Sequence, residues 1–267
     1  MLTLAVMTKQ LLDSGVGSQM VNYYSGTSGL LLPVRNKEFY PPEFRDKSRL
    51  HFYGSLFNSI EINSSFYKVP MPSTVEKWAA DVPDDFKFTY KLSREITHNK
   101  GLAFDPTAVV KFMEVISFAG KKKGSLLVQV PPSVKNVHRG QMGFLLKTIR
   151  DADPDETWDI AIEFRDNCWY EETTMELLNE LKMGLVIHDK LSTASGMLDT
   201  GVDFVYVRFH GPNGNYRGRY EEDFLYEYGS YVNEWVADGK TVYTYFNNTM
   251  GDAIENLVTL RDMVQPG

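Results

Sequence analysis

Arg208 and His210 stand two residues apart in the stretch Phe204-Val-Tyr-Val-Arg-Phe-His-Gly211. On an extended chain such a pair points to one side, because strand side chains alternate between two faces. The same spacing pairs Glu61 with Asn63 in Ser59-Ile-Glu-Ile-Asn63, and Glu163 with Arg165 in Asp159-Ile-Ala-Ile-Glu-Phe-Arg165. Lys91, Gln129, Asp189 and Asn247 each stand at or next to the end of a similar short β-rich run. A carboxylate or an imidazole in such a set can move protons. Lysine and arginine can hold a phosphate or a carboxylate, arginine in bidentate fashion.

These residues need strands that end together. The pattern predicts eight: Asn22–Thr27, Ser59–Asn63, Phe86–Lys91, Ser125–Val130, Asp159–Arg165, Leu185–Asp189, Phe204–Gly211 and Thr241–Asn247. Helices are expected between them. One spans about Pro42–Leu56, and one starts at the capping-box pattern Ser73-Thr-Val-Glu76. Asp105-Pro106, an N-cap residue followed by proline, opens a third that runs to about Ala119. Further helices are expected over Gly140–Asp151, over Glu171–Met183 with Gly184 as C-cap, over Glu221–Ala237 and over Asp252–Val264. The helix near Leu191–Met197 is poorly marked, and another falls around Leu4–Asp13.

Alternation of this kind at this length points to an α/β fold, a single-domain (β/α)8 TIM barrel. A doubly wound open sheet is the competing architecture. Its strands are covered on both faces and read as continuous apolar runs. Here each strand has one apolar and one mixed face, as a barrel with a partly polar interior requires. Residues 21–267 are assigned to the barrel and 1–20 to an N-terminal extension.

Inside that barrel Glu61, Asn63, Lys91, Gln129, Glu163, Arg165, Asp189, Arg208, His210 and Asn247 form a polar ring at the C-terminal mouth, where barrels of this kind bind ligands. Arg94, His98, Lys190, Arg217 and Arg219 lie beyond the same strand ends and tilt the mouth positive. Either the ring is an ionic network plugging the barrel, or it is a site for a small anionic ligand; the added His210 and asparagines favour the site. A transition-metal centre on Glu61, Glu163, Asp189 and His210 is not expected, since fixed cations interleave with those carboxylates. No cofactor is implied. Cys168 has no activating pattern around it, and Tyr228, Tyr231 and Trp235 fall at helical spacing as packing residues.

Composition sets the frame. A chain of 267 residues with 43% hydrophobic and 24% charged residues is an ordinary globular one. A net charge of −7 argues against broad nucleic-acid binding. A single cysteine suits a reducing cytoplasm. No apolar run approaches a membrane span, so no membrane partner is expected.

The strand ends also resemble a known family. Gly26-Thr-Ser-Gly29, Phe39-Tyr-Pro41, Glu61-Ile-Asn-Ser-Ser-Phe-Tyr67, Lys91 with Ile96-Thr-His98, Val128-Gln-Val-Pro131, Glu163-Phe-Arg165, Val207-Arg-Phe-His-Gly211 and Tyr245-Phe-Asn-Asn248 are similar to the YecE-like family, domain of unknown function 72, over about Tyr23 to Val264. The resemblance implies a TIM barrel and no established reaction. Its barrel is like those of endonuclease-IV-type nucleases and xylose isomerase, an analogy of fold alone. The sequence departs from the family at Leu30, where tryptophan is usual, and over Leu31–Asn36. Residues 1–20 precede the usual family start, which would make Met20 an original start.

Function is therefore expected from the mouth. The leading reading is an enzyme or binder of a small phosphate- or carboxylate-bearing ligand. In it Glu163 or Glu61 is the acid/base, His210 a proton shuttle, and Lys91, Arg165 and Arg208 the anion holders, with Asn63, His98, Gln129, Asp189 and Asn247 as further ligand contacts. The alternatives are a nucleic-acid binder or endonuclease-IV-like nuclease, and a non-catalytic scaffold. The anion is expected beside Arg208 and His210.

Overall fold

The computed structural model describes residues 22–190, 195–198 and 200–264. Eight parallel strands run in chain order around a nearly closed barrel: β1 (Tyr23–Thr27), β2 (Ser59–Ile62), β3 (Lys87–Lys91), β4 (Lys123–Val130), β5 (Asp159–Phe164), β6 (Gly184–His188), β7 (Phe204–Phe209) and β8 (Thr241–Phe246). Around them lie the helices α1 (Arg49–Leu56), α2 (Ser64–Tyr67), α3 (Pro72–Ala80), α4 (Arg94–Thr97), α5 (Pro106–Ser117), α6 (Arg139–Asp151), α7 (Glu172–Glu180), α8 (Glu222–Ala237) and α9 (Ala253–Met263). The helix expected around Leu4–Asp13 and the extension 1–20 lie outside the described residues, as do Leu191–Ala194.

The two strand faces sort as alternation requires. Ile60, Phe88, Leu126, Val128, Ile160, Ile162, Val207 and Phe209 face outward into the main core beneath the helices. Leu127, Ala161, Val186, Phe204, Tyr206, Tyr243 and Tyr245 form a second cluster inside the barrel. α5 shows how the outer layer is built. Asp105 accepts from the Thr107 amide at 2.9 Å, Pro106 opens the first turn, and Val109, Phe112, Met113 and Ile116 turn inward at helical spacing.

Seven strand pairs carry ladders, that of β3 and β4 with a register shift between Phe88 and Tyr90, while the β1–β2 seam has a single bridge between Ser28 and Glu61. Side chains complete it. The Asn58 amide accepts from the Ser25 N–H at 3.0 Å and donates to the Tyr23 carbonyl at 2.8 Å. The Tyr53 hydroxyl accepts from the Thr27 N–H at 2.8 Å and donates to the Ser59 carbonyl at 3.1 Å. Gly26 permits this approach, since a Cβ there would lie 2.0 Å from the Ser59 oxygen.

Three local expectations need correction. Ser73 and Glu76 are not a capping box: α3 begins one residue earlier, with Pro72 at its first position and Met71 as an N-cap that makes no side-chain bond. Gly184 is no C-cap either. α7 stops at Glu180, the left-handed backbone falls on Lys182 at φ 51°, and Gly184 starts β6. That position is glycine because a Cβ would meet the Phe204 ring at 2.7 Å. The helix expected over Pro42–Leu56 is a short turn, Pro42–Phe44, followed after an interruption by α1.

Candidate functional site: the polar mouth of the barrel

The barrel interior is a stack of hydrogen-bonded polar layers. Lowest, Tyr243 donates to Asp159 at 2.8 Å. Above it the Tyr245 hydroxyl meets Ser59 at 2.5 Å and Thr89 at 2.7 Å. Next, the Tyr206 hydroxyl donates to Glu61 Oε2 at 2.6 Å. Each of these three inward tyrosines thus carries its hydroxyl to a partner.

Arg208 occupies the centre and is 1% exposed. It clamps Glu61 through Nε (2.8 Å) and Nη2 (2.7 Å), and Nη1 donates to Glu163 Oε2 at 2.8 Å. Arg165 Nη2 pairs with the other oxygen, Glu163 Oε1. Burial alone would push both glutamates up. The neighbouring guanidiniums outweigh it, so Glu61 sits below the usual carboxylate range and Glu163 well below it. Both are fully buried and held ionised.

His210 joins the two arginines. Its Nε2 lies 3.0 Å from Arg165 Nη2 and 3.2 Å from Arg208 Nη1. Guanidiniums only donate, so Nε2 must accept, and the ring proton sits on Nδ1. That nitrogen faces Asp189 Oδ1 at 3.3 Å, and the same carboxylate accepts from the His210 amide at 2.8 Å and from the Tyr220 hydroxyl. Burial first, and the two arginines besides, push the imidazole down to about 4 despite Asp189 and Glu163. His210 is a neutral, 0% exposed connector.

Above this network is a cleft of about 190 Å³ lined by Asn63, Phe66, Tyr67, Lys91, Gln129, Arg165, Arg208, Tyr216 and Asn247. Six of the ten ring residues expected from sequence meet there. Three of its lining residues are cations and none is an acid. Lys91 donates to the Gln129 amide oxygen at 2.8 Å and lies 4.1 Å from the centre of the Phe66 ring. Burial, then the charge of Arg208, lowers its amine to about 8. The Arg165 Nε is buried and has no hydrogen-bond partner.

Glu61, Glu163, Asp189 and His210, expected at the mouth, are not among the residues lining the cleft. His98 packs edge-on against Phe66, with Nδ1 2.8 Å from the Thr97 hydroxyl. Burial and the charge of Lys91 lower its imidazole to about 4. Arg94, Arg217 and Arg219 are exposed outside the cleft, while Lys190 braces the loop after β7 by donating to the Gly214 carbonyl at 3.0 Å. Among the described residues no group of three His, Cys, Asp or Glu side chains is placed to hold a metal.

The anion expected beside Arg208 and His210 would meet a guanidinium and an imidazole that the protein already engages. Every nitrogen of Arg208 already faces a protein partner, and His210 Nε2 is covered by two guanidiniums. Lys91 and Arg165 line the same cleft and are less completely paired than Arg208. Sequence reasoning missed His188, 3% exposed, which takes the inward position because Val186, two residues earlier, is inward. Its Nε2 lies 3.1 Å from the Tyr170 hydroxyl. It also missed Phe66, Tyr67 and Tyr216 as cleft walls. The first two sit on α2, the one-turn helix that follows β2, and Tyr216 depends on how its loop folds.

The comparisons with known proteins agree with this architecture. The family described as "Protein of unknown function DUF72" matches residues 24–267. The UPF0759 protein YunF of Bacillus subtilis is 26% identical over 250 residues, 81% of this chain and 86% of that protein. UPF0759 protein YecE of Escherichia coli is 30% identical over 82 residues, 31% of this chain and 30% of its own length. A crystal structure of a DUF72 family protein from Enterococcus faecalis superposes with a TM-score of 0.75 at 21% identity, covering 91% of this chain and 95% of that one. One from Thermotoga maritima gives 0.65 at 23% identity, covering 91% and 99%. A TIM barrel that carries the strand-end motifs in order and matches this family along nearly its whole length, the chain belongs to the DUF72 family of proteins of unknown function.

Proposed function

We propose that the protein binds a small anion bearing a phosphate or a carboxylate in the cleft at the C-terminal mouth. One observation carries this: the cleft wall holds Lys91, Arg165 and Arg208 with no carboxylate among them. Arg165 is the main holder, because it lines the cleft and, unlike Arg208, keeps a nitrogen that no protein group engages. An unpaired buried donor is costly, and a bound anion removes that cost. Lys91 supplies a second cation, and Asn63, Gln129 and Asn247 supply neutral hydrogen bonds.

Glu61, Glu163, Asp189, His210 and Arg208 act as the rigid base that orients Arg165. Glu61 and Glu163 are poor acid/base candidates in this reading, being buried, ionised and fully engaged with arginine. His210 is a poor shuttle, because neither ring nitrogen is available. The same reading puts the protein in the cytoplasm, in line with a lone thiol at Cys168.

Calorimetric titration with inorganic phosphate and glycerol 3-phosphate tests the proposal. Binding should weaken at least about tenfold in Lys91→Gln, the loss of one charge-assisted contact. Equal affinity in parent and variant would reject this cleft as the anion site.

A second reading, single-stranded nucleic acid, has one observation of its own. Tyr67 is 69% exposed on the cleft rim, where a base could stack.

A further inference from the structure

We propose that Lys91 is a nucleophile, and that the ligand of this cleft is a small anionic aldehyde or ketone which Lys91 captures as a Schiff base. The inference rests on the anion-binding reading above and names its substrate class.

The geometry of Lys91 differs from that of a lysine that serves only as a charge. Its amine is on the cleft wall, 9% exposed. Its hydrogen-bond acceptor is the neutral Gln129 amide, not a carboxylate. An apolar ring, Phe66, covers another side at 4.1 Å. The charged groups around it come from several elements: Arg208 on β7, Glu163 and Arg165 at the end of β5, Glu61 on β2 and the His98 ring after α4. The two glutamates are the acids that would keep the amine protonated, but both are spent on the arginines. Burial and the arginines therefore raise the neutral share of an amine that is otherwise a cation, with a midpoint of about 8. A desolvated lysine beside other cations is the arrangement that activates an amine for carbonyl attack. Arg165, on the same wall, would hold the anionic end of the ligand while its carbonyl carbon faces Lys91.

The step balances without any outside reagent. The Lys91 nitrogen lone pair forms a C–N bond to the carbonyl carbon, and the carbonyl π pair moves to oxygen. The two hydrogens of the neutral amine leave with that oxygen as one water, and the product is the imine. Nothing is oxidised or reduced.

Trapping tests this on the full chain. The protein is incubated at pH 7.5 with dihydroxyacetone phosphate or with pyruvate, reduced with borohydride, and mapped by peptide mass spectrometry. A lysine with a midpoint near 8 has roughly a hundredfold larger neutral fraction at that pH than an ordinary one. The expected result is a single adduct on Lys91, formed at least about tenfold faster than on any exposed lysine and absent in Lys91→Arg, which keeps the charge. The two probes tell a phosphate-bearing ligand from a carboxylate-bearing one, and an adduct with either supports the proposal. Adducts spread over surface lysines, or none at Lys91, overturn it. Titration with glycerol 3-phosphate and lactate, which share the anions but lack the carbonyl, separates the two failures. Binding without trapping leaves the anion reading standing and removes the covalent step; neither binding nor trapping removes both.

Discussion

Arg208 is the residue on which the interior depends. Two glutamates and one histidine converge on it with no solvent to substitute. Replacing it with methionine keeps much of the volume but leaves Glu61 and Glu163 short of their countercharge. Removing one partner of a buried ionic set costs about 3–5 kcal/mol. Arg208→Met should lower unfolding stability by that amount in urea titrations, and a loss under about 1 kcal/mol would show that the glutamates re-pair with Arg165 alone. His210 makes a second prediction, in pH. Its folded value, about 4, lies below the ordinary 6.5. Between those values the unfolded chain binds a proton that the folded chain does not. Its contribution is thus fully present above pH 6.5 and is lost as pH falls toward about 4. The loss from this group is at most about 3 kcal/mol. His210→Asn should show a shallower fall in stability than the parent across that window, and identical slopes would mean that the carboxylates alone set the acid limit.

At the scale of elements, the β1–β2 seam is the weak joint of the barrel. The other neighbours share backbone ladders of two or more paired residues, whereas here Asn58 and Tyr53 stand in for missing rungs. Asn58→Ala removes both bonds to β1 and leaves the Ser25 amide and Tyr23 carbonyl without those partners. The expected cost is about 1–3 kcal/mol. Gly26→Ala should cost at least as much, because its Cβ would collide with backbone rather than with a movable side chain. Hydrogen exchange offers the sharper readout. Amides of β1 and β2 should lose protection in both variants before those of β4 and β5, and uniform loss around the barrel would place the weak joint elsewhere. The mouth sits at the upper end of this seam, since Ser28 bridges to Glu61. Loosening the seam should therefore also weaken anion binding.

For the whole molecule, charge separates the two ligand readings. A net charge of −7 repels a polyanion at long range while a short cationic cleft still attracts a small one. Phosphate affinity should fall gently with added salt, with a slope set by one or two contacts. A nucleic acid making several phosphate contacts would lose about 0.7 log units of affinity per contact for each tenfold rise in salt on a single strand. Titrations of phosphate and of a short oligonucleotide across a salt series will tell them apart. Tight oligonucleotide binding with a steep slope would favour the nucleic-acid reading. No helix among the described residues is long and apolar enough to cross a membrane.

Much of this was legible in the sequence because a strand has a strict period of two. Ile60 and Ile62 against Glu61, or Val207 and Phe209 against Arg208, determined which side chains face the barrel axis before any contact was known. The strand count and its alternation with helices determined the barrel. Errors arose where a residue answers to something other than period. Gly184 read as a helix end because glycine often is one, but it is small to admit the Phe204 ring of the neighbouring strand. Ser73 had the spacing of a cap, but the rigid φ of Pro72 set the helix start first. Asp189 drew attention as the charged strand end, although parity with Val186 turns His188 inward. Only tertiary structure could decide which cations are spent and which remain available. Lys91, Arg165 and Arg208 are equivalent by type and by parity. Their difference lies in distances across the barrel: Arg208 reaches both glutamates, Arg165 keeps a nitrogen without a partner, and Lys91 reaches only an amide. Pairing across the barrel depends on radius, register and rotamer, none of which a local sequence pattern encodes.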